Sequence, residues 1–184
     1  MGIVSERLML RPWTDADRQP FAEMSSDPVV MQHLMPLTHR DASDKWIDGQ
    51  IGRMEQHGLC FWAVERRSDR AFVGSVGLLP VGYEAHFTPA VEVGWRIARA
   101  FWGLGYAPEA AGAAIRFGFE AVEMAEVVAN TVPANLKSRR VMSKLGMSHD
   151  ASDDFDHPRV PEGHPLRRQV LYRLTRDRGR AGRR

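Results

Sequence analysis

Residues 91–97, Val-Glu-Val-Gly-Trp-Arg-Ile, alternate with the period of two that marks a half-buried strand. Val91, Val93, Trp95 and Ile97 fall on one face; Glu92, Gly94 and Arg96 fall on the other. After residue 105 the period changes. Ala111, Ile115, Phe119 and Val122 recur at helical spacing, and the small residues Ala110, Gly112, Ala113 and Ala114 let such a helix lie close to a sheet. Between the two runs stands Trp102-Gly103-Leu104-Gly105-Tyr106-Ala107-Pro108-Glu109. The order is strand, glycine turn, helix.

The rest of the chain is read the same way. Arg7–Arg11 alternates as an edge strand and Pro12 stops it. Thr14 with Asp17 resembles a capping box opening a helix that carries Phe21 and Met24, and Asp27-Pro28 ends it. Residues 28–37 are unusually apolar for a connector, and either form a short helix lining a pocket or pack under a loop. Thr38 and Asp41 repeat the capping pattern ahead of Ile47, Ile51 and Met54, and Gly58 closes that helix. Residues 59–66 and 71–79 form a hairpin across Arg67–Arg70, and 82–89 form a loop. A strand over 126–132, a helix over 136–145 with Asn135 as its N-cap, a polar loop over 150–165 and a last strand over 169–174 complete the chain. There are no internal repeats, so the expectation is a single α+β domain over residues 1–175.

Composition narrows the picture only slightly. A chain of 184 residues with 43% hydrophobic residues suits one soluble domain. No apolar run approaches the ~20 residues of a membrane span, and a signal peptide is not expected, so the cytoplasm is the expected location. The lone Cys60 excludes an internal disulfide framework and sits in an apolar run, which suits a buried structural thiol. Charge is more informative. Six arginines and one aspartate give residues 173–184 a charge of +5, and the whole chain carries +2, so residues 1–172 carry −3. The body is mildly acidic and the basicity belongs to a tail, 176–184, expected to be disordered and solvated and not to bind nucleic acid.

The chemistry begins at the glycine turn. Glycines leave backbone N–H groups free to point inward, and a helix N-terminus adds partial positive charge, so the stretch suits a phosphate. A dinucleotide fingerprint fails because Pro108 stands where its third glycine belongs, and no Gly-Lys-Ser/Thr follows. Asp153, Asp154, Asp156, His157 and His164 match no zinc spacing, and no metal is expected. His33 and His39 lie in the first helical region; either could contact a substrate, and the preferred reading is surface residues.

Taken in order, Glu6–Arg11, Val93-Gly94-Trp95, Trp102–Ala110, Asn135 with Ser138, Lys144–Met147 and Val170-Leu171-Tyr172 resemble the GNAT superfamily of acyl-CoA-dependent N-acyltransferases, most of all its RimJ/RimL-like branch. The resemblance spans residues 5 to 175. It implies a mixed, mainly antiparallel sheet with splayed parallel strands and helices on both faces. It implies acetyl-CoA as co-substrate, with a pyrophosphate loop at Trp102, Gly103, Leu104, Gly105, Tyr106 and Ala107. Trp95, Arg96 and Ile97 would pair their backbone with the pantetheine arm, and Asn135 and Ser138 would lie near the thiol. Many members carry a tyrosine on the helix after the asparagine; here that position is Met142, which cannot donate a proton, so either Ser138 or a water held by it substitutes, or the thiolate leaves without an acid.

The implied reaction is direct attack of a primary amine on the acetyl thioester in a ternary complex. Glu92, close in sequence to the expected thioester site, is the candidate general base, acting through a water; the other reading is a surface or cross-strand-paired glutamate. The acceptor is an amine, either a protein N-terminus or a small molecule, and the protein is a monomer or homodimer. The competing expectation is a CoA-binding module of the same fold with little or no transfer, a doubt fed by Met142.

Overall fold

The computed structural model describes residues 2–37 and 39–181. Two residues, Ile3–Val4 (β1), pair with Leu8–Arg11 (β2). A 3-10 turn over Asp15–Asp17 leads into α1 (Arg18–Ser26), and α2 is Arg40–His57. Then come β3 (Phe61–Arg66), β4 (Phe72–Pro80) and β5 (Val91–Ile97), followed by α3 (Tyr106–Glu120), β6 (Glu126–Thr131) and α4 (Leu136–Lys144). Short β7 (Ser148–His149) and β8 (Phe155–Asp156) precede β9 (Arg168–Thr175) and α5 (Arg176–Ala181).

The strands form one mixed sheet in the order β1-β2-β3-β4-β5-β6-β9-β7, with β8 on β9. Every pairing is antiparallel except β5 with β6. That parallel pair is joined at a single bridge, Glu92 opposite Val128, and past it the two strands part. The fold is α+β, as the pattern of elements implies.

Strand alternation divides the core. Trp62, Val64, Val76, Leu78, Val93 and Ile97 face α3, where Ala110, Ala111, Ala114 and Ile115 bury against them. Ala63 faces the other way, into a cluster with Trp13, Phe21, Met24 and Ile47 from α1 and α2. Helices therefore cover both faces. Among the described residues, no helix is long and apolar enough to cross a membrane.

Several expectations need correction. β2 is not the edge strand, because β1 lies outside it. The buried stripe of α2 is Ser43, Ile47 and Gln50, not Ile47, Ile51 and Met54. Gln50 turns inward because its side-chain oxygen accepts the Phe61 N–H at 2.9 Å, and Ile51 is left exposed. Val122 is exposed because α3 stops at Glu120. Thr38 lies outside the described residues; His39 caps α2. The Thr14–Asp17 box is present, with the Asp17 carboxylate accepting the Thr14 backbone N–H at 2.8 Å. Residues 176–181, read as part of a tail, are helical, and the Arg176 side chain donates to the Met124 carbonyl at 2.8 Å.

Candidate active site

The glycine turn is held from three sides. Gly103 and Gly105 have φ of 79° and 81°, a backbone conformation that strains any residue with a Cβ. A Cβ at Gly103 would meet nothing within 4 Å, so conformation and not crowding demands glycine there. Trp102 Nε1 donates to the Ile97 carbonyl at 2.7 Å, tying the turn to the end of β5. The Arg7 side chain donates to the Leu104 carbonyl at 3.0 Å and to Glu109 at 2.7 Å. Ser5 and the Arg7 backbone also donate to Glu109, each at 2.7 Å. Burial works to raise the Glu109 carboxyl, but these bonds outweigh it and hold it below the usual carboxylate range. From this anchored turn α3 starts at Tyr106, and its first N–H groups have no acceptor within the helix.

Across the gap between β5 and β6 stands the start of α4. Asn135 caps it, its side-chain oxygen accepting the Ser138 N–H at 3.2 Å. The Asn135 amide donates to Thr131 Oγ1 at 2.9 Å and to Ser138 Oγ at 3.1 Å. Trp95 Nε1 donates to the same Ser138 oxygen at 3.3 Å. Both partners of that oxygen are donors, so the Ser138 hydroxyl proton remains available to a third group. Met142, at the position of the expected tyrosine, is buried and lines the same space. Lys137, Arg140 and Lys144 also line it, spaced three and four apart on α4, with Lys137 Nζ 4.0 Å from the Trp102 ring centroid.

On the opposite face of β5, Glu92 lies deep beside β6. The Asn130 amide donates to its Oε2 at 3.4 Å, and Tyr83 sits behind Asn130. Burial pushes the Glu92 carboxyl above its ordinary range, opposed only in part by Asn130. Gly94 follows on that face, and a Cβ there would lie 2.9 Å from the Phe61 ring. Arg96 comes last, its guanidinium carbon 5.4 Å from the ring centroids of both Phe21 and Trp46.

One cavity of about 1010 Å³ joins these parts. It runs from the glycine turn and α4, through the parted strands, to Glu92, Arg96, Trp46 and the apolar stretch at Val29, Val30 and Leu34. Of the residues picked out by sequence, Glu92, Trp95, Arg96, Ile97, Trp102, Gly103, Gly105, Tyr106, Ala107, Asn135 and Ser138 all line it. Leu104 does not; its side chain is exposed and its carbonyl is taken by Arg7. Residues 28–37 form turns, not a helix, and do line the cavity, as does His33. Sequence reading missed the basic row on α4, the Arg7–Glu109 clasp and the inward-facing Arg96 side chain. Only the first carried a local signal, its helical spacing.

The acidic loop is accounted for by ion pairs. Asp153 pairs with Arg173 at 2.7 Å, Asp154 with His149 at 2.8 Å, and Asp156 with Arg167 and Arg168 at 3.4 Å. Among the described residues no group of three His, Cys, Asp or Glu is placed to hold a metal ion. Cys60 is buried, and desolvation pushes its thiol up to about 12.

Known proteins place this arrangement. Residues 7–148 match the model for an acetyltransferase (GNAT) domain. The uncharacterized protein YkkB of Bacillus subtilis is 30% identical over 80% of this chain and 85% of its own. The FsC-acetyl coenzyme A-N(2)-transacetylase of Aspergillus fumigatus is also 30% identical, over 93% of this chain and 74% of its own. The fold overlays on RimL, a ribosomal L7/L12 alpha-N-protein acetyltransferase in complex with coenzyme A, with a TM-score of 0.79 at 13% identity, covering 97% of this chain and 99% of that one. With the glycine turn, the parted strands and the capped α4 all present, the chain belongs to the GNAT family and is an N-acetyltransferase.

Proposed function

We propose that the protein transfers an acetyl group from acetyl-CoA to a primary amine, both reactants being bound together. The observation that carries this reading is the continuous cavity through the β5–β6 gap, with a phosphate cradle at one end and a buried carboxylate at the other. The residues fit an acyl-CoA donor. Two left-handed glycines and a free helix N-terminus suit a pyrophosphate, and Lys137, Arg140 and Lys144 add cationic charge beside it. Past Glu92 the β6-facing edge of β5 has no strand partner among the described residues and is open to an amide-bearing arm. Acetyl-CoA, when bound there, supplies the activated thioester.

The chain's own groups would do the rest. Glu92, its carboxyl raised by burial above the ordinary range, accepts the amine proton through a water. A β5 backbone N–H polarises the acetyl carbonyl. Ser138, its oxygen already accepting from Trp95 and Asn135, donates a hydrogen bond to the departing sulfur; the sulfur leaves as the thiolate, and the proton taken by Glu92 passes to solvent. This role for Ser138 supports transfer over a mute CoA-binding module, even with Met142 in place of a tyrosine. We place the protein in the RimJ/RimL-like branch, a reading supported by the likeness to RimL. Its acceptor is then a protein N-terminus or a small amine.

The test is thiol release from acetyl-CoA in the presence of peptides with varied N-termini, polyamines, amino acids and aminoglycosides. Turnover with one class and saturation in both reactants is expected. Tight CoA binding with no thiol release across the panel would favour the module instead.

A further inference from the structure

The floor of the acceptor end is laid in cross-strand rows. Ser75 on β4 lies opposite Arg96 on β5, Gly77 opposite Gly94, and Leu79 opposite Glu92. Ala63 and Phe61 of β3 extend the first two rows. The glycines of the middle row make room for the Phe61 ring, which lies against Gly94 and lines the cavity between the other two rows.

In the first row one polar group lacks a hydrogen-bond partner and one cation lacks a counter-charge among the described residues. Ser75 is 2% exposed, lines the cavity, and its hydroxyl has no hydrogen-bond partner among the described residues. Arg96 donates to Ser25 Oγ at 3.1 Å and lies against Phe21 and Trp46, yet it pairs with no carboxylate among the described residues. Burial lowers its pKa to about 10, which still leaves it charged at neutral pH. A desolvated cation without an anion and a buried hydroxyl without a partner are both costly. If packing against Phe21 and Trp46 were the only task, an apolar side chain would perform it without that cost. As cross-strand neighbours the two residues have Cβ atoms about 5 Å apart. A guanidinium fork beside a hydroxyl matches a carboxylate.

We propose that Arg96 and Ser75 form an anion subsite for the acceptor, so that the amines this protein prefers carry a carboxylate. The proposal rests on the acetyl-transfer reading above and adds the chemical class of the acceptor. Glu92 and Arg96 stand four residues apart on one strand face, about 13 Å between Cα atoms. An amine delivered to Glu92 therefore lies several bonds from a carboxylate held at Arg96, with the long arginine side chain taking up part of the span. The mild negative charge of the body gives no hint of this, because the selecting charge is local and positive.

The experiment uses matched pairs that differ by one carboxylate: lysine and cadaverine, ornithine and putrescine, 6-aminohexanoate and pentylamine. For each pair kcat/KM is measured by thiol release, and binding is followed independently by the fluorescence of tryptophan, Trp46 being beside Arg96. The carboxylate-bearing member should be favoured at least tenfold in at least one pair. Arg96→Gln should collapse that ratio toward one, Arg96→Lys should restore part of it, and Ser75→Ala should reduce it several-fold. Equal treatment of both members by the wild type overturns the proposal. So does an Arg96→Gln variant that slows both members alike and leaves the ratio intact, the behaviour of a structural prop. If Arg96→Gln does not fold, the wild-type ratio and Ser75→Ala decide. Arg96-dependent binding of carboxylates without any thiol release would sink the transfer reading and keep the subsite. Thiol release blind to the carboxylate would do the reverse.

Discussion

As the proposed base, Glu92 would link rate to stability through one desolvated side chain. Its carboxyl is pushed up by desolvation, with the Asn130 amide pulling weakly the other way. A base works only when deprotonated, so kcat/KM should fall as pH drops through this raised value, above the usual 4.5 of a glutamate. Glu92→Gln should remove that acidic limb and slow the reaction by about a hundredfold. A folded pKa above the unfolded one means that folding is favoured by the protonated form, and that this contribution is lost as pH rises through the folded pKa. The charged form of the glutamate is therefore a burden on the fold. The Glu92→Gln variant should melt no lower than the wild type in a thermal scan at pH 7. An unchanged pH profile with full activity would remove Glu92 from the mechanism.

At the scale of elements, the glycine turn depends on the β1–β2 connection as much as on its own residues. Arg7 reaches the Leu104 carbonyl and Glu109, but its side chain is 44% exposed, so solvent screens the ion pair. Removing it should cost about 1 kcal/mol of loop order, roughly fivefold in affinity. Arg7→Ala is expected to raise KM for acetyl-CoA by that factor and to leave kcat nearly unchanged, which steady-state kinetics would show. The turn itself was legible from sequence because steric rules there are local: φ near 80° at Gly103 and Gly105 asks for glycine. So was the alternation of β5, because a period of two survives in any context. The clasp was not legible, since Arg7 and Glu109 are joined only by folding. Nor was the buried stripe of α2, where Gln50 is buried by a bond to Phe61 that no apolar pattern contains. Arg96 was read only as backbone, because Ser25 and Trp46 stand far away in the chain.

For the molecule as a whole, the first half of the sheet is tied to α1 by a partly buried charge network. Arg11 makes bonds of 2.7 and 2.8 Å to Asp17 and one of 2.8 Å to Glu65. Burial opposes ionisation of Asp17, but the Arg11 and Thr14 bonds outweigh it and keep its carboxyl below the ordinary 3.8. The stability it lends is complete above the unfolded pKa and is lost as pH falls through the folded one. Asp17→Asn should cost about 2 kcal/mol at pH 7 by urea denaturation, moderated because Glu65 remains for Arg11. The deficit should shrink in strong acid, where the wild type also loses the charge.

The parity of β5 has a further consequence. Odd residues 93, 95 and 97 look toward α3 and α4, where Trp95 meets Ser138; even residues 92, 94 and 96 look to the other face, where Arg96 meets Ser25 of α1 and Glu92 meets Asn130 of β6. One seven-residue strand thus serves two clients through opposite faces. In evolutionary terms the donor site and the acceptor site can drift separately. On the proposed reading, a substitution of the Arg96 side chain, or in α1 and α2, would retune what is acetylated without touching how the acetyl group is presented. A single inserted residue would be ruinous, because it would hand each client the other's side chains.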